Sequence, residues 1–211
     1  MRRLAAIAVI IMAVVLAGAR PAAAAGPSAV GWWWLPQTGT ATLPPPPTVP
    51  PGGFMVGGDP SGANAIAALR FELEADEGSP ALTLRVAPNG DVNGASAQLA
   101  ACRVTGAWAP AFAGPWPSRP TADCATAVVG ARSEDGTTWT FNLEPFLTGN
   151  TIDIVLTPGA GSSFNLSFNP PDETSLKTGP KPAPPPDFGT SPDFSSAADE
   201  STSASFTRRS G

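Results

Sequence analysis

The chain has 211 residues, two cysteines, neither histidine nor tyrosine, and a formal charge of −5. Without histidine, the Ser-His-Asp and Cys-His machineries and histidine-based metal catalysis are excluded. Basic residues are scattered and outnumbered, 12 against 17 acids, which argues against nucleic acid and anionic lipid as partners, since both need clustered Lys and Arg.

Residues 1–25 read as a secretory signal peptide. Arg2 and Arg3 are followed by an apolar run over 4–16 and a small-residue stretch ending in Ala22-Ala23-Ala24-Ala25. The run is short of the ~20 residues a bilayer span needs. Cleavage is expected after Ala25, give or take two residues. It would take three arginines and no acid, moving the charge from −5 to −8. No later segment is long and apolar enough to span, so a soluble chain, secreted or associated with the cell envelope, is expected.

Residues 26–53 read as an N-terminal arm and linker. Trp32-Trp33-Trp34 cannot all face one side of a strand. The triplet is either a sticky arm for a partner or a flap over an open sheet edge, and the residues leave both open. Pro44 to Pro47 and Pro50-Pro51-Gly52-Gly53 then form a stiff, extended linker.

From 54 to 169 the apolar period is two. Leu69, Phe71 and Leu73 alternate with charged residues; Leu82, Leu84 and Val86 alternate with Thr83 and Arg85. Trp139, Phe141 and Leu143 repeat the pattern, as do Ile152, Ile154, Leu156 and then Phe164, Leu166, Phe168. Residues 98–104 and 124–129 are weaker strand candidates. Turns are expected at Glu77 to Pro80, Asn89-Gly90, Glu134 to Gly136, Thr148 to Asn150 and Pro158-Gly159. Each run is a strand with one buried face, and together they predict an all-β, antiparallel β-sandwich, jelly-roll-like, between disordered Pro-rich flanks. Residues 170–211, rich in Pro and Ser, form the expected disordered tail. Arg208-Arg209 is taken as a tail end, and the sequon Asn165-Leu166-Ser167 is assigned no role.

Cys102 and Cys124 form an even pair outside the reducing cytosol and are expected to be disulfide-bonded, which in the chain-entropy model stabilises by roughly 3 kcal/mol. The segment this bond closes holds Trp108, Phe112 and Trp116, with Arg119 beside them. Loop aromatics stack on the apolar faces of sugars, and a neighbouring polar group bonds the hydroxyls. Trp108, Trp116 and Arg119 are therefore the candidate ligand-binding residues; the competing reading has the two tryptophans plugging the end of the sandwich. Trp139 is assigned to the core.

Two other constellations of polar residues stand in the sequence. Glu72 and Glu74 share a strand face about 7 Å apart, a spacing open to carboxylate-pair chemistry, but they sit on the polar side of an alternating strand where charge is expected anyway. Asn89-Gly90-Asp91-Val92-Asn93-Gly94 resembles half a calcium loop, with Ala100 where the closing acid should be; an Asx-rich hairpin turn is the simpler reading. No metal, cofactor or catalytic residue is expected.

The order Leu69-Arg70-Phe71-Glu72-Leu73, Ala81 to Val86, Arg103 to Trp108, Trp116 to Pro120 and Thr138 to Leu143 with Pro145-Phe146-Leu147 resembles the DNRLRE domain, a jelly-roll module of secreted bacterial proteins related to carbohydrate-binding modules of the CBM96 type. The N-terminal strand that opens such a module has no recognisable counterpart. The resemblance implies carbohydrate or envelope binding in some members, a structural role in others, and no catalytic residue. The expectation is a monomeric, non-catalytic secreted module that binds an extracellular polysaccharide or cell-envelope polymer; the alternative is a structural or protein-interaction module whose partner is an envelope protein.

Overall fold

A computed structural model describes residues 23–35, 48–75, 77–161 and 163–180. Residues 1–22 of the expected signal peptide, 36–47 with the polyproline run, and 181–211 of the expected tail lie outside the described residues. Thirteen strands are present among the described residues: β1 (Ala23–Ala25), β2 (Ala29–Trp34), β3 (Phe54–Asp59), β4 (Gly62–Glu72), β5 (Glu77–Val92), β6 (Leu99–Val104), β7 (Gly114–Pro115), β8 (Ala122–Val129), β9 (Ala131–Arg132), β10 (Thr138–Asn142), β11 (Thr151–Pro158), β12 (Phe164–Phe168) and β13 (Leu176–Pro180). Every pairing is antiparallel except β2 with β7.

The chain forms an antiparallel sandwich, and the long β5 belongs to both of its sheets. Its first half lies between β13 and β10, and β9 continues from β10. Its second half pairs with β12, from which the second sheet runs through β3, β4, β11 and β6 to β8. The alternation read from the sequence is what lines the core: Leu82, Leu84, Trp139 and Phe141 from one sheet meet Leu69, Phe71, Ile152, Ile154 and Phe168 from the other, all almost fully buried. Each such side chain contributes about 1.5–3 kcal/mol of burial. Phe54 and Phe168 face each other across a β3–β12 pair and stack at 5.1 Å between centroids.

The structure shifts the predicted boundaries on both sides. Residues 26–53 are not only arm and linker, because β2 pairs along its whole length with β4 and Val49 is buried in the core. Trp32 and Trp33 are each 1% exposed, on opposite faces of β2, so the triplet lies on the domain. β2 is also a strand that the period-two reading of the sequence did not disclose. Nor is residue 170 the end of order, since β13 pairs with β5. Ala23–Ala25, at the expected cleavage point, pair with β13.

Two expected turns are strand irregularities instead. Glu77 to Pro80 lies inside β5, where Ser79 takes φ 47°. Asn89-Gly90 lies in β5 as well, between Val86↔Phe168 and Asp91↔Leu166, where the register shifts. Asn89 at φ 58° supplies the left-handed residue that a bulge needs, and the same Asn-Gly chemistry that makes hairpins also makes bulges.

Candidate functional site

Strand β4 departs from simple alternation. Residues 64–69 are buried one after another, because both faces of this part of the sheet are covered. Ala65, Ala67 and Leu69 face the core, whereas Ile66 and Ala68 join Trp33 of β2 and Val155 of β11 in a second apolar cluster. What covers them is the segment between β6 and β8, residues 105–121, which crosses the outer face of the sheet as a strap.

The outbound leg of the strap is anchored by Trp108. Its indole Nε1 donates to Asp153 Oδ1 at 2.8 Å, its ring meets Trp33 edge-on with centroids 5.9 Å apart, and the Arg70 guanidinium lies over it, 5.3 Å from the centroid. Arg70 and Asp153 are direct cross-strand partners on β4 and β11, and Arg70 Nε donates to Asp153 Oδ2 at 3.1 Å. Trp108 thus completes an ion pair that the sheet sets up. At the strap tip the Trp32 amide donates to the Ala111 carbonyl at 2.9 Å, and β7 adds a short parallel edge to β2. Gly114 is needed there, since a Cβ would fall 2.5 Å from Trp33 Cδ1. Phe112, 54% exposed, touches the Trp32 ring edge-on at 5.6 Å.

The return leg carries Trp116 and Arg119. Between it and the outer sheet face lies an open cleft of about 540 Å3, walled by Trp116, Arg119, Pro117 and Thr121 and floored by Ile66, Val155 and Thr157. The Arg119 guanidinium sits 4.4 Å from the centroid of the Trp116 ring and donates through Nη1 to the Trp116 carbonyl at 3.0 Å, leaving other guanidinium donors for a guest. The strap's base is closed by the Cys102–Cys124 disulfide, with Cα atoms 4.7 Å apart, and Cys124 borders the cleft. The structure therefore separates the predicted trio. Trp116 and Arg119 share the cleft; Trp108 is half-buried and committed to Asp153, Arg70 and Trp33.

The sequence reading missed Asp153, Arg70 and Trp33 as partners of the strap, and Ile66, Val155 and Thr157 as its floor. The apolar run Ala65 to Leu69 was the available signal, because a strand covered on both faces reads as a continuous run.

Glu72 and Glu74 are exposed at and just beyond the end of β4 and do not line this cleft. Asp91 is held by its own turn, accepting from the Gly94 amide, and its other oxygen faces Arg132 Nη2 at 3.5 Å. Among the described residues no group of three or more Cys, Asp or Glu is placed to hold a metal, and no helix is long and apolar enough to cross a membrane. A second cleft of about 500 Å3, over the other sheet, is lined by Thr83, Arg85, Asn169, Pro170, Asp172 and Lys177. Bonds from the Thr174 hydroxyl and amide, at 2.7 and 2.8 Å, hold the Asp172 carboxyl below its usual pKa.

No protein-family model matches the chain, and comparison with curated proteins gives no match.

Proposed function

We propose that the chain is a secreted, non-catalytic β-sandwich module that holds an extracellular carbohydrate or cell-envelope polymer in the strap cleft. One observation carries this reading: the Trp116 ring and the Arg119 guanidinium stand together at the wall of a cleft floored by Val155 and Thr157. An aromatic wall with a few convergent polar groups is the usual form of a small-ligand site, and a sugar presents both an apolar face and hydroxyls to it. The disulfide suits an oxidising compartment, and the jelly-roll likeness adds weight to carbohydrate as the ligand class.

The test is retention of the protein on a panel of insoluble polysaccharides and isolated cell walls. Trp116→Ala and Arg119→Ala should each weaken retention; truncating a central aromatic anchor costs about 2 kcal/mol, roughly 30-fold in Kd. If the wild type is retained by nothing on the panel, or if both variants keep their far-UV spectrum and bind as tightly as it does, the reading fails. The rival, a protein-interaction module, is favoured by β8, an edge strand with Val129 73% exposed. Retention of an envelope protein that is lost on Val129→Lys and unmoved by Trp116→Ala would establish it instead.

A further inference from the structure

Strand β8 is held differently from the rest of the sheet. All its side chains are exposed except that of Val128, which is partly buried. Its ladder to β6 is broken at the disulfide: Ala101 pairs with Val128 and Arg103 with Asp123, so residues 124–127 have no ladder partner on β6. The return leg that leads into it is bonded mostly to itself. Ser118 Oγ donates to the Pro115 carbonyl, and both the Arg119 amide and its Nη1 donate to the Trp116 carbonyl. Only at Thr121 does the leg bond outward, to Thr105. The outbound leg, in contrast, is fixed by the Trp108–Asp153 bond, the Trp32–Ala111 bond and the β2–β7 pair.

We infer that the Cys102–Cys124 bond is a redox-sensitive latch: residues 116–129 form one unit that stays docked while the bond is intact and is released, with Trp116 and Arg119, when it is reduced. Within 116–129 only Pro120 is buried, with Trp116 and Val128 partly so; a segment that buries little apolar surface opens at low free energy, and a cross-link across it removes most of the open states available to it. Cys102 is fully buried, whereas Cys124 is exposed at the cleft, so an external thiol has a route to the latch. Two electrons pass from the reductant to the S–S bond, leaving two protein thiols, and two molecules of the reducing thiol leave joined as a disulfide. The release itself does not depend on what the cleft binds; its consequence for ligand retention rests on the function proposed above.

The experiment is amide hydrogen exchange, read by mass spectrometry, on the whole chain before and after treatment with a phosphine reductant. The same measurement is made on Cys102→Ser/Cys124→Ser. In both, exchange over 116–129 should rise at least about tenfold, while 32–34, 66–71 and 111–115 stay within about twofold of the oxidised protein. Unchanged protection over 116–129 overturns the inference. So does loss of protection throughout the sheets, which would make the bond a global staple rather than a latch. Selective release in a protein that retains no polysaccharide even when oxidised would leave the latch standing and remove the proposed function.

Discussion

Replacing Trp108 by Phe isolates the bond that anchors the strap. The Phe ring still reaches Trp33, but the indole N–H to Asp153 Oδ1, 2.8 Å long, is gone. Bonds to a charged partner contribute about 1.5–3 kcal/mol. The lower end applies here, since the Asp153 side chain is 24% exposed and keeps Arg70, so water replaces part of what is lost. Filling the indole volume incompletely adds up to about 1 kcal/mol. The expected loss is therefore about 1.5–2.5 kcal/mol, or roughly 4–8 °C in Tm for a domain of this size. Urea unfolding of the oxidised protein, followed by far-UV circular dichroism, measures it. A double-mutant cycle with Asp153→Ala, which removes the acceptor, should return a coupling of about 1 kcal/mol or more. If Trp108→Phe lies within about 0.5 kcal/mol of the wild type, or the two substitutions simply add, Trp108 is not the anchor described above.

The remaining expectations use the same denaturation assay or a simple titration. Gly114→Ala places a methyl 2.5–2.6 Å from Trp33 Cδ1 and Nε1 and should destabilise by about 1–3 kcal/mol through overpacking; a neutral result would mean that the strap tip shifts freely. Leu69→Ala, at a side chain with no exposure on the core face, should lose about 3–4 kcal/mol, and a loss under 1 kcal/mol would contradict the assigned inward face. Asp135 is held at a pKa of about 2 by bonds from the Ser133 hydroxyl and from the Thr137 amide and hydroxyl. Its folded pKa is depressed, so its contribution to stability is present above the ordinary value of 3.8 and is lost as pH falls from there through about 2. Asp135→Asn should flatten the stability profile across that window, and an unaltered slope would show that the turn is not held this way.

The inward-facing half of the fold was legible in the sequence because one chemical signal, period-two burial, both makes the strand and fills the core. Leu69, Phe71, Trp139, Phe141, Ile152 and Ile154 sit where alternation puts them. Trp32 to Trp34 escaped because three adjacent aromatics have no period, and only the pairing of β2 with β4 shows that one ring serves the core and the next the second cluster. Asn89-Gly90 misled because left-handed residues mark a change of backbone direction without saying whether it is a hairpin or a bulge. The aromatics of 105–121 stand close together in the sequence, but composition cannot sort them. Trp108 and Trp116 look alike in sequence and differ only in what the sheet offers beneath each.

That difference follows from the register between β4 and β11. Because Arg70 lies opposite Asp153, the outer face carries a charged pair at one level, and Ile66 with Val155 forms an apolar floor nearer the start of β4. An indole laid on the charged pair finds a carboxylate for its N–H and a guanidinium for its ring, so Trp108 has its partners within the protein. The indole nearer the apolar floor finds no such acceptor, and Trp116 is half-buried with Arg119 over its ring and open space alongside. A one-residue slip of β11 would turn Asp153 inward and bring Ile154 to the outer face, destroying the anchor and burying a carboxylate in the core. The same inward apolar set that stabilises the sandwich therefore also decides which tryptophan of the strap is tied to the sheet and which one is left beside the open cleft.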